Sequence, residues 1–314
     1  MKAVQVRQYG GPEVIEIVTN IPEPSLKSDQ VLVEVYAASI NPFDAKLLSG
    51  IFKNFIPTQF PYTPGGDFAG VVIKLGESVT ENKVGDEVFG SALVLTGGSG
   101  SFAQKGSANV KNIAFKPKKI DFIKAASLPL VGASAIQALE EHIKLQRGHK
   151  ILIHGGAGGI GSIVIQLAKH IGAYVATTVN TSDKEFVKSL GADQVIDYKS
   201  EKFEELLSDF DAVFDMVGGK TTDTSFKVLK QNGILVSMVG QPKQELTKQY
   251  KVSAIGQNTK TNHEHLSRLA QLVDRGVINA QVDKVFPLER TREAFEHWAK
   301  GSPNGKVVVR VKDE

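Results

Sequence analysis

Gly156-x-Gly158-x-x-Gly161 is the stretch whose residue types and spacing most directly imply chemistry. Glycines at that spacing let a backbone turn tightly, approach a pyrophosphate closely and leave room where a helix packs on a strand. Gly155, Ala157, Gly159 and Ile160 complete the turn. The apolar run Ile151-Leu152-Ile153 before it reads as a parallel strand buried on both faces. After it, Ile163, Ile165, Leu167 and Ala168 carry helical spacing, Gly172 stops the helix, and residues 173–179 read as the next strand. A helix that starts at the glycines aims its unpaired N–H groups and the positive end of its dipole at a bound anion. Strand before and helix after make this a dinucleotide-binding turn rather than a plain loop.

The end of that next strand bears on which dinucleotide. An acid there usually holds the ribose hydroxyls, but the sequence runs Val179-Asn180-Thr181-Ser182-Asp183-Lys184. The first acid comes late and a lysine follows it. Lys184 suits a 2′-phosphate as a charge partner, while Asp183 keeps the alternative open.

The elements that must position these residues follow from length and pattern. At 314 residues the chain has room for about two domains with a proper core. Its net charge of +3 comes from scattered lysines, with no basic tract, so a nucleic-acid partner is not expected. There is no cysteine, hence no disulfide framework and no thiolate metal site. No apolar run reaches the roughly 18 residues of a membrane span, and MKAVQVRQYGG lacks a signal-peptide core. No membrane partner and a cytoplasmic location are therefore expected.

Apolar alternation through residues 4–6, 14–17 and 31–35 reads as strands, punctuated by Gly10-Gly11-Pro12 and Pro22-Glu23-Pro24. Residues 39–46 read as a strand end entering a short helix, with Pro42 in its first turn. The segment Gly97-Gly98-Ser99-Gly100-Ser101 is expected to be a flexible, solvent-exposed connector. Helices are expected over 121–126 and 133–142, separated by Ser127-Leu128-Pro129-Leu130. Strands at 151–153, 174–179, 194–196, 212–215, 234–238 and 252–255 then alternate with helical stretches, as in a doubly wound sheet. A helix over 262–275, a strand over 282–287, a helix over 291–300 and a strand over 306–311 form a tail expected to return to the β-rich front.

Several motifs stand in one order from end to end. They are Met1-Lys2-Ala3, Ser39-Ile40-Asn41-Pro42-x-Asp44, Pro64-Gly65-Gly66-Asp67-x-Ala69-Gly70-Val71-Val72 and Gly85-Asp86-x-Val88, then Leu128-Pro129-Leu130 and His154 through Gly161. Gly191-Ala192-Asp193-x-Val195-Ile196-Asp197-Tyr198 and Gly305-Lys306-Val307-Val308 follow. In this set the chain resembles the medium-chain dehydrogenase/reductases, specifically their zinc-free, zeta-crystallin-like quinone oxidoreductase and enone reductase branch. The resemblance implies an α/β fold. A GroES-like β-rich catalytic domain would span 1–124 and 259–314, and a Rossmann doubly wound parallel sheet domain 125–258.

The resemblance also assigns roles. Where zinc relatives carry Cys-x-x-Asp, Gly-His-Glu and a third ligand, this chain has Asn41-x-x-Asp44, Gly65-Gly66-Asp67 and about Leu130, so no metal is expected. It implies NADPH, with Lys184 and Tyr198 at the 2′-phosphate end beside Asn180 and Ser182. Asn41 is placed beside the nicotinamide ribose and Ser134 near the nicotinamide, while Val239, Gly240 and Ile255 floor that pocket. A homodimer paired along the edge strand near 251–257 is implied as well.

Hydride addition to a conjugated carbonyl builds negative charge on its oxygen, which a donor must meet. The polar candidates are Asn41, Lys46, Tyr62 and Ser134, together with backbone N–H groups. His154 is expected to be a hydrogen-bonded scaffold residue and Asp67 a structural one. The expected function is NADPH-dependent, zinc-independent hydride transfer to a quinone or α,β-unsaturated carbonyl. The alternatives are a zinc-free dehydrogenase acting on another carbonyl, and a non-catalytic NADPH-binding regulatory or nucleic-acid-binding protein.

Overall fold

The computed structural model describes residues 1–55, 57–301 and 304–313. Ile56 lies outside the described residues. The chain divides into two compact units, Met1–Ala133 with Thr261–Arg275 and Ala280–Glu314, and Ser134–Lys260 with Gly276–Asn279. These divisions fall at 133/134 and 260/261. The short segment Gly276–Asn279 goes with the second unit because Asn279 exchanges two hydrogen bonds with the Gln166 carboxamide, at 2.8 and 3.2 Å.

In the first unit one sheet runs in the order Val282–Pro287, Lys306–Arg310, Gln30–Ser39, Asp67–Leu75, Glu87–Ser91, Ile113–Phe115, and Lys105–Asn109 also pairs with Gln30–Ser39. Gln30–Ser39 is central and buried on both faces, which its run of valine, leucine and alanine permits. The tail strand Lys306–Arg310 lies antiparallel against it, with Val308 opposite Ser39. Val307 and Val309 join Val4, Ile40, Leu48, Phe102 and Phe295 in the core beneath. Each such burial stabilises by roughly 1.5–3 kcal/mol.

Two expectations are corrected here. The separator Ser127-Leu128-Pro129-Leu130 is shorter than expected: only Ser127 and Leu128 lie between helix Phe122–Ala126 and helix Pro129–Ile136, which Pro129 opens. The first helical position needs no N–H, so proline suits it. The Gly97–Ser101 segment is not an exposed connector throughout, because Gly100 and Ser101 are buried. A Cβ on Gly98 would meet Ala92 O at 2.2 Å, and one on Gly100, whose φ is +89°, would meet Thr63 O at 2.0 Å. These glycines permit close packing of backbone on backbone.

The second unit is a parallel sheet in the order Gln194–Asp197, Tyr174–Val179, Lys150–His154, Phe210–Asp215, Leu229–Ser237, Ser253–Gly256. Chain order reverses between Lys150–His154 and Phe210–Asp215. Such a reversal opens a crevice beyond the carboxyl ends of the strands, where open α/β sheets bind ligands.

Candidate active site in two parts

The glycine turn sits at that reversal. It joins strand Lys150–His154 to helix Gly159–Ile171, whose first bond runs from Ser162 N to Gly158 O at 2.9 Å. The N–H groups of Gly159, Ile160 and Gly161 precede that bond and point out of the helix end. A Cβ on Gly161 would lie 2.3 Å from Gly155 O, and one on Gly156 2.2 Å from Thr177 Oγ1. Those two glycines are required by internal packing. Gly158 differs: a Cβ there meets nothing nearer than Gly155 O at 3.5 Å. Its open side leaves the space a pyrophosphate needs, so the residues present fit the group.

Sheet register gathers the expected ribose end. Asp197 is level with Val179, so Asn180 and Tyr198 follow on adjacent strands, and Tyr198 N donates to Val179 O at 3.2 Å. Tyr198 is 58% exposed. Lys184 is half-buried, with Glu201 Oε2 3.5 Å from its Nζ, and Ser182 is exposed. Asp183 is buried and accepts the Ser182 hydroxyl at 3.0 Å, which turns the late acid inward. The Thr181 hydroxyl and the Lys199 N–H hold Asp197 below the usual carboxylate range.

Beyond strand Leu229–Ser237 lie Val239, 48% exposed, and Gly240 with φ +136°, and half-buried Ile255 stands near the end of strand Ser253–Gly256. Val217 joins them, 57% exposed with its Cγ2 3.8 Å from the position of a Gly155 Cβ. Sequence reasoning missed Val217, although its place just after strand Phe210–Asp215 was the available signal. Ser134 is fully buried, its Oγ 2.7 Å from Thr259 Oγ1 and its carbonyl accepting from Gln257 Nε2 at 3.0 Å.

His154 ends the strand before the turn and is fully buried. Its Nε2 lies 2.9 Å from Ser225 Oγ, and its Nδ1 2.9 Å from Thr178 Oγ1. Ser225 already donates to Thr221 O, so Nε2 carries the proton and Nδ1 accepts from Thr178. Burial pulls the imidazole down to about 4, against the opposing charge of Asp215. With both nitrogens engaged, this geometry is that of a scaffold.

The first unit carries the other polar group. Asn41 caps helix Pro42–Leu48, and Asp44 reaches back to accept from Asn41 N at 2.8 Å. Lys306 Nζ, from the tail strand, donates to Ile40 O at 2.6 Å and to Asn41 Oδ1, and lies 3.9 Å from Asp67 Oδ2. Asp67 also accepts from Leu130 N at 3.2 Å. Asn41, Asp44, Asp67 and Lys306 are all buried. Burial pushes Asp44 up to about 7, with the charge of neighbouring Asp67 adding to it. Burial likewise raises Asp67 and lowers Lys306, each countered by the other's charge.

Tyr62 is 8% exposed, and its hydroxyl has no hydrogen-bond partner among the described residues. Burial and then the charge of Asp44 push that phenol upward. Lys46 stands exposed on the outer face of helix Pro42–Leu48. Lys306 was visible beforehand only as part of Gly305-Lys306-Val307-Val308.

The stretches that resemble zinc ligands therefore meet a lysine ammonium: Asn41 touches it, and Asp67 connects it to Leu130. Among the described residues no cluster of three or more His, Cys, Asp or Glu is arranged to hold a metal ion. None of their helices is long and apolar enough to cross a membrane.

Comparison with known proteins agrees with this architecture. The family described as alcohol dehydrogenase GroES-like domain matches residues 27–127, and the one described as zinc-binding dehydrogenase matches residues 190–309. The chain is 40% identical to the NADPH-dependent alkenal/one oxidoreductase, chloroplastic, of Arabidopsis thaliana, over 98% of this chain and 79% of that one. It superposes on the quinone oxidoreductase of Coxiella burnetii with a TM-score of 0.89 and 35% identity, covering 99% of each. The Escherichia coli quinone oxidoreductase complexed with NADPH gives a TM-score of 0.87 at 27% identity, over 99% of this chain and 100% of that one. The chain belongs to the medium-chain dehydrogenase/reductases, in their zinc-free quinone oxidoreductase branch.

Proposed function

We propose that this enzyme is an NADPH-dependent oxidoreductase that transfers hydride to a quinone or an α,β-unsaturated carbonyl. The observation that carries the substrate class is the lysine ammonium at the zinc-like stretches. An ammonium has no open coordination position and cannot bind a carbonyl lone pair as a Lewis acid does. Conjugated acceptors need that help least, because incoming charge spreads through the π system. The names of the relatives, alkenal/one and quinone oxidoreductases, support the same class.

The nicotinamide cofactor supplies the hydride; the chain's residues bind, orient and stabilise. The Gly156–Gly161 turn and the N–H groups of Gly159 to Gly161 hold the pyrophosphate. Lys184 supplies charge and Tyr198 a hydroxyl and ring face at the 2′-phosphate, with Asn180 and Ser182 beside them. Val239, Gly240 and Ile255, joined by Val217, give the nicotinamide an apolar floor. Asn41 offers amide donors, with Tyr62, Lys46 and Ser134 as the further polar candidates. A second copy pairing along the edge strand Ser253–Gly256 is proposed as well, and a monomer by light scattering at micromolar concentration would remove it.

The test is a turnover panel of quinones, enones, saturated ketones and primary alcohols with NADPH, before and after chelator treatment. Conjugated acceptors are expected to turn over far faster than saturated ones, at an unchanged rate after chelation. Asn41→Ala should lower kcat/KM by about tenfold to a thousandfold, the usual effect of losing one preorganised donor. Zinc-stimulated alcohol oxidation would overturn the assignment.

A further inference from the structure

We infer that Lys306 is a positioning residue for turnover, acting through Asn41 by fixing which face of its carboxamide is offered to a ligand. This rests on the reading that Asn41 is a donor in the reaction. A carboxamide has one acceptor end and one donor end of nearly equal shape, so an unpinned asparagine can present either. Here both neighbours demand the same orientation. An ammonium has donors only, so the group touching Lys306 must be the carbonyl oxygen, as found. The Asn41 amide in turn favours the ionised form of Asp67, which has acceptors only. One flip satisfies both charges and the other offends both. With the oxygen on Lys306 and one N–H turned to Asp67, the second amide N–H is what remains for an acceptor oxygen or a ribose hydroxyl.

The clamp is itself held. Nζ is anchored on Ile40 O at 2.6 Å and stands 3.9 Å from Asp67. The lysine backbone belongs to a strand paired to Gln30–Ser39, immediately before Asn41. Asp44 pins the Asn41 backbone N–H at 2.8 Å, so neither end of the residue is loose. A reversed amide would aim a carbonyl oxygen at the place where negative charge develops. That would replace stabilisation with repulsion.

The experiment is a double-mutant cycle between Lys306→Met and Asn41→Ala, read in kcat/KM for NADPH-driven reduction of a quinone or enone. Lys306→Met is expected to lower kcat/KM at least tenfold when Asn41 is present and less than twofold in the Asn41→Ala background. The nuclear magnetic resonance of the Asn41 side-chain amide, identified by its disappearance in Asn41→Ala, should shift in ligand-free Lys306→Met protein. Should that variant fail to fold, Lys306→Met with Asp67→Asn removes cation and carboxylate together, and the same cycle is read on it. Penalties that multiply in full in both backgrounds, or an unmoved amide resonance, would overturn the clamp and leave the role of Asn41 standing. A fully active Asn41→Ala would overturn both, which separates the two failures.

Discussion

The two units bury polar side chains on opposite principles. In the second unit His154, Thr178, Ser225 and Thr221 form a chain in which each donor meets an acceptor, and the imidazole stays neutral. In the first unit Lys306 stands among two carboxylates, Asp44 and Asp67, so the fully ionised group carries one excess negative charge. A neutral, saturated network rigidifies a core. A charged one costs desolvation, and Tyr62 beside it leaves a hydroxyl unpaired. The network around His154 is therefore saturated and neutral, while the cluster around Asn41 keeps charge and an unpaired hydroxyl.

The sharpest way to break this comparison is pH. His154 titrates near 4 in the folded chain and near its ordinary 6.5 when unfolded. Its stabilisation is complete above 6.5 and is lost as pH falls through 4. Asp44 behaves oppositely. It titrates near 7 folded and near 3.8 unfolded, so its stabilisation is complete below 3.8 and is lost as pH rises through 7. Each displacement corresponds to roughly 3–4 kcal/mol. Urea melts from pH 4 to 8 should show His154→Gln flattening the acid limb and Asp44→Asn the neutral limb. Flattening of the same limb by both variants would mean that the clusters do not differ as described. Asp215 faces the histidine, and Asp67, Lys306 and Tyr62 face the aspartate, so each slope is read with those groups intact.

A smaller effect separates packing from ligand binding within the glycine turn. Gly161→Ala puts a Cβ 2.3 Å from Gly155 O and should cost roughly 1–3 kcal/mol in thermal or urea unfolding. Gly158→Ala meets nothing closer than 3.5 Å and should leave the melting temperature unchanged while weakening NADPH binding in a fluorescence titration. Equal stability losses in both would show that Gly158 is a packing glycine. The smallest effect belongs to Tyr62→Phe. Having no bond to lose, it should change stability by less than about 0.5 kcal/mol, whereas Thr178→Val, which strands His154 Nδ1, should cost about 1–3 kcal/mol. A comparable loss in Tyr62→Phe would reveal a partner for that hydroxyl.

The nucleotide-binding half was legible because its chemistry is local. The strand, glycines and helix fall within one short stretch, and the parallel register then puts Tyr198 beside Asn180. The start of helix Pro42–Leu48 was legible for the same reason, since Asn41 and Asp44 sit one turn apart. Lys306 was not: its bond to Asn41 spans 265 positions and exists only because the tail strand pairs with Gln30–Ser39. No periodicity reports which residue a distant strand brings to a site. The buried loop at Gly100 was misread because glycine and serine also compose exposed linkers, and only the nearby Thr63 carbonyl distinguishes the two.

The strand that carries Lys306 has a consequence for how the protein is made. It enters the sheet between Val282–Pro287 and Gln30–Ser39, yet Lys306 is translated 265 residues after Asn41. Asn41, Asp44 and Asp67 are synthesised long before their cation, so the first unit cannot close until the strand Lys306–Arg310 has been made. The second unit, contiguous but for Gly276–Asn279, has no such wait. A nascent chain stalled near residue 300 should therefore hold a folded nucleotide-binding sheet while the sheet of the first unit stays open, its two aspartates still hydrated.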